Sequence, residues 1–317
     1  MNPIQFYLSS SVSLSDKLLE IMYGIMGLIS LYVAFKNLLD KENRHNVGTF
    51  IFWFIFGLLF ALGKWLPSFV DGILLFILVL PPIFHKVSTG KLIAPCLDEM
   101  NRNFKKIGLK IFIPAFSIGA FALLVAFCTD ISPLVGMSIG VFVAALILVF
   151  YSKENTPKIF LNDCRRMLDI VGPISMLPML LAALGSLFTA AGVGDVLSNL
   201  VSYIVPSGNV AIGIIVYALA MVFFTMIMGS AFAAITVITV GIGGPFVLKY
   251  GLDPVVIGSL ALTCGYCGTL CTPMGANYNL VPVAILEMKD QYGVIKNQIF
   301  IAIVMLIIQI VFMFLEG

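Results

Sequence analysis

One stretch of this chain gathers polar and helix-breaking residues inside apolar surroundings. Leu262 to Pro282 reads LTCGYCGTLCTPMGANYNLVP. Glycine costs a helix interior about 1 kcal/mol and proline about 3 kcal/mol. Pro273 also lacks an amide donor and frees the carbonyl of Thr269, four residues earlier. Unpaired backbone in lipid is expensive, so a broken helix survives there only if it is buried or lines a cavity. The chemistry such a break offers is coordination of an ion or small polar solute by oxygen atoms. The candidate binding residues are Thr263, Thr269, Thr272, Asn277 and Asn279, with Gly265, Gly268 and Pro273 shaping the backbone around a cavity. The competing reading is a proline kink with small residues for close helix packing.

Gly229 to Phe246, GSAFAAITVITVGIGGPF, is a second such stretch. Ser230, Thr236 and Thr239 supply hydroxyls. Gly241, Gly243, Gly244 and Pro245 are expected to end the helix sharply, with Gly243 a candidate site residue. Ser and Thr are also common on packing faces, and no Lys follows the glycines as a phosphate-binding loop requires. A third region, 172–195, carries Gly185, Ser186, Thr189, Gly192 and Gly194, which read as a packing face.

Cys264, Cys267 and Cys271 have C-x2-C-x3-C spacing, which admits a metal or redox site. A fourth ligand would have to come from Cys96, Cys128, Cys164 or elsewhere. Cysteine as a small packing residue is the simpler reading. The six cysteines are too dispersed for a disulfide framework. His45 and His85 fall in basic loops and read as solvated. Asp71 is the one carboxylate expected within a span, while Glu20, Asp169 and Glu287 lie near span ends. A proton relay thus has no obvious carrier in the Gly/Pro-rich stretches. Sodium held by carbonyl and hydroxyl oxygens needs none, and helix N-termini can receive an anion.

The elements that must position these residues are membrane helices. Apolar residues make up 60% of the chain and charged residues 11%, with mean hydropathy +1.08. A soluble domain carries about 25% charged residues. The net charge of +2 gives nucleic-acid binding no support. The expected fold is all-α and polytopic, with spans near 18–35, 47–63, 68–84, 110–129, 132–151, 169–191, 209–228, 230–248, 255–287 and 297–315. The ninth is too long and broken to be one helix, and 195–206 reads as a short interfacial or re-entrant piece. The first apolar run follows a polar, irregular stretch and reads as a retained helix rather than a secretory signal. With loops assigned to alternate sides, Lys17, Lys64 and Lys249 face one side, and the other 15 of the 18 basic residues face the opposite side. That asymmetry fits ten spans with both termini outside. The basic loop 85–110 reads as an orientation signal and lipid-headgroup contact. Residues 1–167 read mainly as scaffold, and 168–317 as a transport-type region with discontinuous helices. The Pro-interrupted stretches 171–178 and 271–276 echo each other, as paired broken segments do in transporters.

The stretches GIGGPF (241–246), 262–296 and LLAALGSLFTAAGVGD (180–195) resemble an uncharacterised bacterial permease-like family. It is a domain-of-unknown-function family grouped with the ion-transporter superfamily of dicarboxylate, citrate, arsenite and sodium/proton carriers. The resemblance implies a bacterial cytoplasmic (inner) membrane protein that works with a second, smaller membrane subunit or as a homo-oligomer. It implies secondary transport of a small organic anion, with 5-oxoproline a candidate and sodium a possible coupling ion in place of any resident cofactor. An elevator-like carrier of this kind binds at two re-entrant tips. The nearest matches are Thr272-Pro273 and Asn277, with Ser230 and Thr236 weaker, and no Ser-Asn-Thr triplet occurs. A metal- or redox-active membrane enzyme subunit and a non-transporting scaffold subunit are the alternatives.

Overall fold

A computed structural model describes residues 3–90, 97–152, 155–203, 208–286 and 288–316. Lys91, Cys96, Lys153, Glu287 and the end of the 195–206 piece lie outside the described residues. The described residues are all-helical, and the chain packs as two units, Met1–Gly172 and Pro173–Gly317.

In the first unit a short α1 (Pro3–Leu8) precedes α2 (Leu14–Leu38), α3 (Asn46–Leu62) and α4 (Ser68–Ile83). Ser13 caps α2 by accepting from the Asp16 amide at 3.0 Å, and Asp16 in the first turn suits the positive helix end. Gly27 of α2 and Gly57 of α3 let the two backbones touch. A Cβ built on Gly27 would lie 2.8 Å from the Gly57 carbonyl oxygen. After α5 (Leu97–Ile107), the helices α6 (Phe112–Cys128) and α7 (Pro133–Tyr151) pack as a hairpin, with Gly140 closing on Ile118. Ser132 and Pro133 give α7 a capped start with φ preset. The last element, α8 (Pro157–Val171), carries Lys158, Asp163, Arg165, Arg166 and Asp169. It is capped by Thr156 and stopped by Gly172 at φ +48°. The span expected at 169–191 therefore cannot begin inside it: the charged helix runs on to Val171, and the apolar run starts beyond Gly172.

In the second unit α9 (Leu177–Ala190) meets α10 (Val193–Ser202) at a bend of 69°. Then follow α11 (Val210–Met228), α12 (Ala231–Ile238), a π-turn (Thr239–Gly243), α13 (Gly244–Phe246), α14 (Pro254–Leu270), α15 (Ala276–Ile285) and α16 (Gly293–Glu316). The core is built by Tyr217, Met221, Met228, Ile238, Ile257, Cys264 and Met313, all fully buried. Gly185 of α9 abuts Ala233 of α12 and Gly194 of α10 sits against Val237 and Gly241, so these two glycines pack as expected, whereas Ser186 and Thr189 are exposed. The glycines after Val240 do not end their helix as expected. The π-turn carries it onward, with Gly241 against the Gly194 backbone and Gly243 under the Tyr217 ring. Their role there is close approach rather than termination.

Among the described residues six helices are long and apolar enough to cross a membrane: Leu14–Leu38, Asn101–Cys128, Pro133–Tyr151, Val210–Met228, Ala231–Tyr250 and Gly293–Leu315. Helices α3, α4 and α14 are apolar but shorter, at 16 or 17 residues. The exterior fits a lipid solvent. Phe116, Phe127 and Phe150 are 76%, 85% and 86% exposed, an arrangement that water would penalise.

Candidate functional site

The second unit brings two helix interruptions together. Helix α11 ends at Gly229, which takes φ +71°, and its amide donates to the Thr225 carbonyl at 2.6 Å. Ser230 is extended and starts α12 without a side-chain cap bond. The other interruption spans Cys271–Gly275, between α14 and α15. Thr272 ties the two: its hydroxyl donates to the Met226 carbonyl at 2.9 Å and accepts from the Met274 amide at 3.2 Å. The backbone of Gly229 lies directly against the Met274 carbonyl, where a Cβ would collide.

The polar groups of the break mostly satisfy it. Fully buried Asn279 donates from Nδ2 to the Thr269 carbonyl at 2.9 Å and to the Thr272 carbonyl at 2.6 Å. The first of these is the carbonyl that Pro273 releases. Thr269 bonds back to Gly265 at 3.2 Å and Thr263 to Leu260 at 2.6 Å, both within α14. So the helix runs unbroken to Leu270, and Thr263 and Thr269 turn to their own backbone rather than to a cavity. Gly265 and Gly268 are packing glycines: a Cβ on Gly268 would meet the Val222 carbonyl of α11 at 2.5 Å. Pro273 and Asn277 are exposed at the tip. Thr236 is exposed and bonds back to Ala233, while Thr239 pairs with the Tyr217 hydroxyl at 2.7 Å beside Gly243. The predicted residues thus divide. Ser230, Thr269, Thr272, Pro273, Asn277 and Asn279 belong to the joined breaks; Thr236, Thr239, Gly243 and Thr263 lie outside them.

Two buried side-chain oxygens beside the joined breaks have no hydrogen-bond partner: the Asn279 Oδ1 acceptor and the Thr225 hydroxyl. Both abut one stretch of α14, Thr225 beside Gly265 and Asn279 on Thr269. Sequence reasoning missed Thr225, which sits in an unremarkable apolar helix. Only the break at Gly229, four residues on, marked its turn. Two uncapped helix starts and unpaired buried oxygens can hold a small ion or an anionic group. Cys264 and Cys267 are buried in the same helix, and the described residues contain no group of three or more His, Cys, Asp or Glu able to hold a metal.

The first unit has a polar centre of its own. Asn37 Nδ2 donates to Asp169 Oδ1 at 2.8 Å, and its Oδ1 accepts from Arg165 at 3.2 Å. Arg165 also bonds Asp40 at 2.6 Å and lies 3.4 Å from Asp169 Oδ2. Asn43, Thr49 and Ser88 extend the network. The Asp169 side chain is wholly inaccessible, on a helix too polar to be a span. Burial pushes its carboxyl up to about 6, against the opposing pull of Asn37 and Arg165. The Trp53 indole N–H sits beside it, close enough to favour the carboxylate but without full hydrogen-bond geometry. The sequence reading placed Asp169 merely near a span end. The readable signals were Asn37, Asp40 and Asn43 at three-residue steps, and Arg165 with Asp169 one turn apart.

Apolar exterior, helical spans and polar groups enclosed between them define a multi-pass helical membrane protein. Residues 20–316 match the family described as "Protein of unknown function (DUF979)", and the chain belongs to that family. No curated protein matches it, and no solved structure does.

Proposed function

We propose that this chain is one subunit of a secondary active transporter for a small organic anion. The observation that supports this reading best is the meeting of the α11/α12 and α14/α15 interruptions, tied by Thr272 and leaving Asn279 Oδ1 and Thr225 Oγ1 unpaired. Paired broken helices whose N-terminal ends face a common point are how carriers present positive dipole ends to an anion and oxygen atoms to a coupling cation. On this reading sodium is the coupling ion, the first unit is scaffold, and the second moves in an elevator-like cycle. The six long helices, the three shorter apolar ones and the bent α9/α10 pair then make ten crossings, with the α14/α15 tip re-entrant. The location is a bacterial inner membrane, membership lies in the ion-transporter superfamily, the partner is a second small membrane subunit, and no catalysis is involved.

The test is uptake into proteoliposomes holding this chain with its partner subunit, using labelled 5-oxoproline first and other small carboxylates next. A sodium gradient should drive accumulation, and Thr225→Val should weaken the sodium dependence. Absence of sodium-driven uptake of every small carboxylate in the assembled complex would reject the reading. Uptake indifferent to Thr225→Val and Asn279→Leu would move the site to the partner.

A further inference from the structure

A hollow of about 560 Å³ opens in the first unit between the start of α3 and the end of α4. That volume is in the range of ligand pockets. Its walls are apolar: Val47 and Ile51 from α3, Ile77, Leu80 and Phe84 from α4 and its end. Arg44, His45 and Lys86 form its mouth, and among the described residues no carboxylate lines it. The mouth is a built feature. His85 takes φ +52° to turn the chain back, and the Lys86 amide donates to the Pro81 carbonyl at 2.8 Å. The Lys86 carbonyl then occupies the space that a side chain at Gly48 would need.

Three kinds of positive group converge there. Arg44 and Lys86 are exposed and have no ion pair among the described residues. Asp40, the carboxylate four positions before Arg44, is engaged by Arg165. At the start of α3 the Asn46 side chain accepts from the Val47 amide at 2.8 Å, while the next amide, that of Gly48, has no acceptor among the described residues. That open amide in the first turn favours a negative group, as do the two free cations above it.

A soluble anion would use the mouth and leave the apolar walls bare. We propose that this hollow binds an anionic phospholipid. Its phosphate lies between Arg44, Lys86 and the Gly48 amide, and its upper acyl chains lie along Val47, Ile51, Ile77 and Leu80. The placement suits such a ligand, because α3 and α4 are apolar helices and the mouth sits where both reach their basic loops.

The test uses the full chain, delipidated in detergent, with phosphatidylglycerol added and bound lipid counted by native mass spectrometry. Phosphatidylcholine with the same acyl chains and inorganic phosphate are the comparison probes. Phosphatidylglycerol should bind at one tight site and phosphatidylcholine much more weakly. Each basic side chain near an anionic lipid is worth about fivefold in binding, so Arg44→Gln with Lys86→Gln should weaken it roughly 25-fold. Both side chains are exposed, so the variant should fold, and Arg102→Gln with Lys105→Gln should leave the site intact. Equal binding of the two lipids would overturn the proposal, as would full retention in the Arg44/Lys86 variant. Competition by inorganic phosphate at equal concentration would replace the lipid with a free anion and overturn it too.

Discussion

Asp169→Asn separates the charge of the first unit's buried centre from its shape. Asparagine keeps an oxygen for the Asn37 amide and leaves Arg165 its bond to Asp40. It removes an ionised carboxylate whose side chain no solvent reaches. The folded carboxyl titrates at about 6 against an ordinary 3.8, so the folded chain holds this proton more tightly than the unfolded one. The contribution of this group to stability therefore falls as pH rises between those values, and the full cost stands above about pH 6. At ~1.4 kcal/mol per pH unit the full cost is on the order of 3 kcal/mol. About 2 kcal/mol of it develops between about pH 4.5 and about pH 7.5. The assay is thermal unfolding of both proteins in one detergent across that interval. The Asn variant should gain on the wild type with rising pH, by roughly 5 °C in Tm over the interval for a unit of this size. A Tm difference, variant minus wild type, that stays constant or falls as pH rises would refute the argument that burial dominates over Arg165 at this carboxylate.

Other outcomes follow from the joined breaks. Asn279→Leu strips two buried carbonyls of their donor and should cost about 3 kcal/mol, read as lost thermal stability in detergent. Asn277→Ala, at the exposed tip, should stay within ~0.5 kcal/mol of wild type in the same assay. Gly229→Ala adds strain at φ +71° and a collision with the Met274 carbonyl, and should destabilise by at least ~2 kcal/mol. Thr272→Ser keeps the hydroxyl that bonds the Met226 carbonyl and should preserve both stability and uptake, whereas Thr272→Val should lose both.

What the sequence determined by itself was what local chemistry controls. Sixty per cent apolar residues and long uncharged runs leave no soluble solution, so the membrane class was readable before any coordinates. Pro273 cannot donate to a helix wherever it is placed, so an interruption after α14 was readable too. The partners of the groups that the break frees were not readable. Asn279 reaches back seven and ten residues to cap carbonyls, and this turns residues expected to face a cavity into the filling of the break. The glycines after Val240 looked like a helix end because their distant neighbours, Gly194 and Tyr217, were invisible in sequence. Asp169 looked like an ordinary charge at a helix end, and became a buried carboxyl only through Asn37, 132 positions away. Helix formation and helix breaking depend on residues within a turn or two, which a sequence displays directly. Burial and hydrogen-bond pairing depend on which distant turns come to lie together, and only the packed structure decides that.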